Sequence, residues 1–121
     1  MKARNSIKKN AGFVNKFLKK ELKGNPKQLY DAASHLILHG GKRLRPFLVL
    51  KSCQMLGGRQ SDAMAAASAV EMIHNFTLVH DDIMDNDEMR HGVPTTHKKF
   101  DMPLAILAGD VLYSKAYNTI S

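Results

Sequence analysis

The chain has 121 residues, 44% of them apolar and 24% charged, a near-average globular balance that excludes wholesale disorder and suffices for one domain with a modest core. No apolar run approaches the roughly 18 residues of a membrane span, and no apolar core follows the basic start MKARNSIKKN as a secretory signal would require. The net charge of +7 divides into +12 over residues 1–60, where fourteen Lys/Arg meet only Glu21 and Asp31, and −5 over residues 61–121, where four Lys/Arg meet nine acids.

The hydrophobic spacing is helical nearly throughout, with no sustained alternation of the strand type, and predicts an all-α chain. Residues 5–22 set Ile7, Phe13, Val14, Phe17, Leu18 and Leu22 among lysines, an amphipathic helix ended near Gly24-Asn25-Pro26. A second helix is predicted over about 26–39, burying Leu29, Tyr30, Ala33, Leu36 and Ile37 and broken at Gly40-Gly41. A third runs from about Lys42 to Leu56, with Pro46 tolerable near its start. Its Cys53 reads as a small buried residue; being the only cysteine, it excludes an internal disulfide and a clustered-cysteine zinc site. A reduced, cytoplasmic compartment is the expectation.

Ser61 is expected to cap a long fourth helix reaching about Glu88, whose opening AMAAASAV is small enough for another helix to approach closely. A loop from Arg90 to about Asp101 follows. The fifth helix begins near Pro103, carries Leu104, Leu107, Ala108, Val111 and Leu112, and meets no glycine or proline before Ser121. That reads as a chain broken off inside a helix, and residues 1–121 as the N-terminal portion of a larger domain.

Three clusters carry chemistry. In His80-Asp81-Asp82-Ile83-Met84-Asp85, Asp81 and Asp85 are four apart and share a helix face, while Asp82 lies about 100° round from Asp81. Like charges at that spacing cost an isolated helix roughly 0.2–0.5 kcal/mol, so a cation between them, or a solvated acidic helix end, accounts for the pair. Oxygen-only ligands favour hard ions, and magnesium takes one or two carboxylates plus waters and phosphate oxygens. His74, two turns before Asp81, belongs to the same stripe, as a ligand or as a packed residue.

In Gly40-Gly41-Lys42-Arg43-Leu44-Arg45-Pro46 two glycines free the backbone at a helix N-terminus, where amides and dipole favour an anion. Lys42 and Arg45 share a face and together suit a diphosphate; a plain cap followed by solvated charges is the alternative. The third cluster, Arg90-His91-Gly92-Val93-Pro94-Thr95-Thr96-His97, follows the acids at once and either holds an anion near the metal or is an ordinary loop. His35, His39 and His97 show no ligand spacing and read as structural.

Together these segments resemble the trans-isoprenyl diphosphate synthases, the polyprenyl synthetase family. The resemblance rests on GGKRLRP at 40–46, EMIHNFTLVHDDIMD at 71–85, MRHGVPTTH at 89–97 and LAILAGDVLY at 104–113, in the family's order and spacing. It implies the N-terminal helices of the isoprenoid synthase bundle, usually a homodimer. It also implies condensation of an allylic diphosphate with isopentenyl diphosphate through a carbocation and loss of a proton. By resemblance, Asp81 and Asp85 are direct magnesium ligands and Asp82 a weaker partner in the catalytic motif. Arg90 holds the allylic diphosphate, and Lys42, Arg45 and His74 bind isopentenyl diphosphate. The family commonly has a second arginine after the first; His91 stands there, donating a hydrogen bond without a permanent charge.

Phe76 lies five residues before Asp81, about 7–8 Å along the helix at ~1.5 Å per residue, with the small Thr77 beside it. In the family, that pair resembles the synthases of geranylgeranyl diphosphate, a twenty-carbon product; packing in the core is the plain alternative for Phe76. The family's second aspartate-rich motif does not occur in this sequence, so the residues above form one wall of a site. The expectation is that this wall alone is inactive, exposes apolar helix faces and associates with the remainder of the synthase or another copy.

Three rivals are weighed: an HD-type metal phosphohydrolase built on His80-Asp81, a non-catalytic partner subunit, and a basic nucleic-acid module. The first leaves GGKRLRP unexplained, the second has no need of the Asp81/Asp85 pair, and the acidic C-terminal half disfavours the third.

Overall fold

A computed structural model describes residues 2–121. The chain forms six helices and one small hairpin in the order α1 (Lys2–Glu21), α2 (Lys27–Ile37), α3 (Leu44–Met55), α4 (Gln60–Asp85), β1 (Met89–Arg90), β2 (Val93–Pro94), α5 (Thr96–Lys99) and α6 (Met102–Ile120). The all-α expectation holds. The strands are two residues each and pair antiparallel, Met89 with Pro94 and Arg90 with Val93.

Helix α4 is the axis of the molecule, packed chiefly against α6 and α3, while α1 and α2 close the remaining sides. Buried residues recur at helical spacing: Val14 and Leu18 on α1, Ala32, Ala33, Leu36 and Ile37 on α2, and Ala105, Ala108, Leu112 and Ala116 on α6. Each fully buried leucine contributes about 1.5–3 kcal/mol. The alanines contribute less themselves and let the helices draw close: Ala63, Ala67, Ser68 and Ala69 of the small-residue opening of α4 are all buried. Gly109 of α6 extends the principle, because a Cβ there would lie 2.7 Å from His80 Nε2.

Several boundaries differ from expectation, each for a local reason. Helix α4 begins at Gln60, so Ser61 is inside it; the backbone N–H of Arg59 donates to Asp62 Oδ2 at 3.3 Å, an acid placed near the helix start. Its far end is Asp85, not Glu88. Asn86 turns left-handed (φ 53°), and the Asp87 N–H reaches back to the Asp82 carbonyl at 2.9 Å. Asp87 and Glu88 therefore leave the helix. The segment expected as a loop holds the hairpin and α5. Its turn is His91-Gly92, both with positive φ (54° and 78°), the backbone of a type I′ connection.

Pro46 is the third residue of α3 and buried, where its missing N–H costs nothing. Cys53 is half-buried rather than buried, its thiol directed at the Arg59 carbonyl. Phe13 of the amphipathic first helix and Leu107 of the last are exposed. Exposed apolar side chains gather on α3 (Leu44, Leu48, Met55) and on α6 (Ile106, Tyr113, Tyr117, Ile120). Among the described residues no helix is long and apolar enough to cross a membrane.

The tight α4–α6 contact is testable. Gly109→Val forces the His80 ring out of place and lowers stability by about 1–3 kcal/mol, the usual cost of overpacking. Thermal unfolding measures it, and an unchanged midpoint contradicts the close approach.

Candidate functional site

The three aspartates of α4 meet different fates. Asp82 faces the hairpin and is buried, its side chain 1% exposed. It accepts from Arg90 Nε at 3.0 and 2.9 Å on its two oxygens and from Arg90 Nη2 at 2.8 Å. A fork-on-carboxylate pair of this kind is directional and strong. Its hydrogen bonds to Asp82 raise the already high pKa of Arg90. Asp81 and Asp85 are exposed and, among the described residues, neither is ion-paired. The burial of Asp82 behind Arg90 leaves it no open face for a metal, and engages part of the Arg90 fork before any substrate arrives.

The hairpin that carries Arg90 is held from two sides. Thr95 Oγ1 donates to the Asp87 carbonyl at 2.8 Å, and His35 Nε2 donates to the Pro94 carbonyl at 2.7 Å. His35 is thus structural, as expected, and its burial lowers its pKa. His39 bonds back to the His35 carbonyl. His97 is buried with neither ring nitrogen partnered among the described residues.

A cavity of about 380 Å³ is lined by Gly40, Gly41, Lys42, Arg45, His74 and His91 together with Arg43, Leu44, Glu71, Asn75 and Leu78. Four of the five residues expected to bind substrate therefore share one concavity; Arg90 stands beside it. His74 has its pKa lowered by burial first, then by the nearby charges of Arg45, Arg90 and His91, with Glu71 opposing.

The two glycines have separate tasks. Gly40 admits the His91 ring, since a Cβ at position 40 would fall 2.5 Å from His91 Cγ, while Gly41 supplies a positive φ of 97°.

Sequence reasoning missed Arg43, Glu71 and Asn75. Arg43 is buried and donates from Nε to Asn15 Oδ1 at 2.8 Å, from Nη1 to Glu71 Oε1 at 3.5 Å, and from Nη2 to the Ile37 carbonyl. Asn75 Nδ2 donates to the Glu71 carbonyl at 2.9 Å and to its Oε1 at 3.3 Å. A lone acid in the apolar stretch around position 71 was the available signal, because a buried carboxylate demands a partner.

Phe76 is half-buried on the side of α4 that meets α6, its ring centroid 4.4 Å from that of His80 and 5.2 Å from that of Tyr113. Thr77 is exposed on the Asp81 stripe. The His80-Asp81 dipeptide is split: His80 turns to α6 with Nε2 buried and, among the described residues, unpartnered, while Asp81 faces out. That separation removes the basis for an HD-type site.

Among the described residues no three His, Cys, Asp or Glu side chains converge as a metal cage. Two exposed carboxylates one turn apart nevertheless fit magnesium, which keeps waters and takes phosphate oxygens as its other ligands.

The family model for polyprenyl synthetase matches residues 26–121. The geranylgeranyl diphosphate synthase of Saccharolobus solfataricus is 52% identical over 108 residues, covering 89% of this chain and 32% of that protein. Among solved structures, the geranylgeranyl pyrophosphate synthetase of the archaeon Geoglobus acetivorans superposes with a TM-score of 0.91 at 52% identity, over 95% of this chain and 38% of that one. The corresponding synthetase of Pyrococcus horikoshii gives a TM-score of 0.92 at 46% identity, over 97% of this chain and 36% of that one. The chain spans about a third of the length of the curated relatives it matches.

The unequal roles of neighbouring aspartates make a test that needs no assay of activity. Asp82→Ala strands part of the Arg90 charge and costs about 2–4 kcal/mol, below the full range for a wholly buried pair because Arg90 is partly solvated. Asp81→Ala stays within about 0.5 kcal/mol, as surface changes do. Equal losses in chemical denaturation contradict the sorting.

Proposed function

The chain belongs to the polyprenyl synthetase family, and from that premise we propose that the complete protein is a prenyltransferase joining an allylic diphosphate to isopentenyl diphosphate. One observation carries the reading: helix α4 bears the exposed Asp81 and Asp85, without an ion partner among the described residues, and two turns earlier His74 of the cation-lined cavity, while Arg90 is fixed to the same helix through Asp82.

Asp81 and Asp85 would hold Mg²⁺, which when bound supplies Lewis-acid stabilisation to a departing diphosphate. Asp82 serves the same motif from behind, by orienting Arg90. Arg90 presents the remainder of its guanidinium to the allylic diphosphate, and its fixed charge is in place before the allylic C–O bond breaks, as electrostatic catalysis requires. Lys42, Arg45, His74 and His91 form the cradle for the isopentenyl diphosphate. The double bond of that substrate attacks the allylic carbocation, a carbon–carbon bond forms, and a proton leaves.

Phe76 would limit the chain to twenty carbons, giving geranylgeranyl diphosphate, with the Tyr113 ring backing it from α6 and Thr77 leaving room beside it. The exposed apolar rows on α3 and α6 suit association with the rest of the synthase and with a second copy.

The complete protein, assayed with radiolabelled isopentenyl diphosphate, should require Mg²⁺ and lose activity on chelation. Asp81→Asn and Asp85→Asn should each lower turnover by about two orders of magnitude or more, the scale of a lost electrostatic partner in the transition state. The same assay resolved by chromatography should show longer products from Phe76→Ala. Chelator-resistant transfer, or full activity in both asparagine variants, contradicts the reading.

A further inference from the structure

Of the four consecutive residues Lys42 to Arg45, the two outer cations are exposed and line the cavity, whereas Arg43 between them is buried, its side chain 3% exposed. The backbone explains the difference. Gly41 and Arg43 both take positive φ, 97° and 58°, so the strand of chain entering α3 makes two left-handed steps within three residues. Those steps turn side chain 43 inward and leave Lys42 and Arg45 outward. Arginine seldom adopts this conformation, and such residues persist where their surroundings hold them.

The surroundings here are three separate elements. Nε is held by Asn15 of α1, Nη2 by the Ile37 carbonyl at the end of α2, and Nη1 by Glu71 of α4. Glu71 in turn accepts from Asn75, a cavity residue one position after His74. The guanidinium lies directly under the loop, since a Cβ on Gly41 would stand 3.2 Å from Arg43 Nη1. The three acceptors are met by three different nitrogens of one rigid plane, a span that the single nitrogen of a lysine ammonium does not cover.

We propose that Arg43 is the positioning residue of the diphosphate cradle: inserted beneath the 40–45 loop, it locks the loop to α1, α2 and α4 so that Lys42 and Arg45 face His74 across the cavity. The charge of Arg43 is answered by Glu71, so it shapes the anion site without joining it. This rests on the cradle assignment made above and extends it to the residue that builds the cradle.

The test uses the complete protein and inorganic diphosphate without added metal, so that the cradle is read apart from the aspartates. In isothermal titration, Arg43→Lys should weaken diphosphate binding by about tenfold or more, the loss typical when a supporting partner of a binding residue is removed. Asn15→Ala, which deletes a single bond from the guanidinium and leaves the charge pair, should fold normally and weaken binding by roughly threefold, or less than 1 kcal/mol at about 1.4 kcal/mol per tenfold. In steady state, KM for isopentenyl diphosphate should rise in both variants, while KM for the allylic substrate and kcat change by less than about twofold. A merely structural role would raise both KM values together.

Equal rises in the two KM values, or unchanged diphosphate affinity in folded Asn15→Ala and Arg43→Lys, overturn the proposal. If Arg43→Lys does not fold, Asn15→Ala decides alone. Wild-type protein that binds diphosphate but transfers no prenyl group refutes the functional reading only, and the affinity comparison still judges Arg43. Wild-type protein that binds no diphosphate refutes both.

Discussion

The hydrogen-bonded ion pair between Asp82 and Arg90 is the constraint on which the site depends. It joins the last turn of α4 to the hairpin across a chain reversal, and it withdraws one of three neighbouring carboxylates from solvent. Two aspartates, four residues apart, are left facing outward. Without that withdrawal, three like charges would crowd one helix end with no distinction of role. With it, the helix presents a negative pair on one side and, through Arg90, a fixed positive charge on the other.

A second anchor, Arg43, does for the basic loop what Arg90 does for the acidic helix. Arg43 spends its fork on three groups from separate elements, Arg90 spends part of its fork on Asp82 alone, and each leaves other charged residues free to meet a ligand. Both anchors touch α4, through Asp82 and Glu71 respectively. Helix α4 is the longest element and the most extensively packed. A rigid helix carrying both anchors keeps the two charged surfaces in register, the arrangement that a preorganised site requires.

Much of this was legible from residue spacing. The helices follow from their apolar periodicity, and the shared face of Asp81 and Asp85 follows from 3.6 residues per turn. The grouping of Lys42, Arg45, His74 and His91 was suggested by the family resemblance, and all four line one concavity. What escaped was set by backbone handedness. Asn86, His91 and Arg43 all take positive φ without being glycine. Those three residues end α4 early, create the hairpin and invert side chain 43. Helical periodicity carries no information about such single steps. The partner of Asp82 lies eight residues onward, beyond the left-handed Asn86, and no spacing rule on the helix could reach it. The exposure of Phe13 and Leu107 has a different origin: the period identifies an apolar stripe but not its edges.

The central claim is the division of labour among the aspartates, and carboxyl-carbon NMR reads it most directly. With ¹³C-labelled aspartate in the complete protein, Mn²⁺ and inorganic diphosphate are added together. The Asp81 and Asp85 signals should broaden at substoichiometric metal, and the Asp82 signal should retain its position and its coupling to the Arg90 guanidinium. Strongest broadening at Asp82, with release of Arg90, would contradict the account.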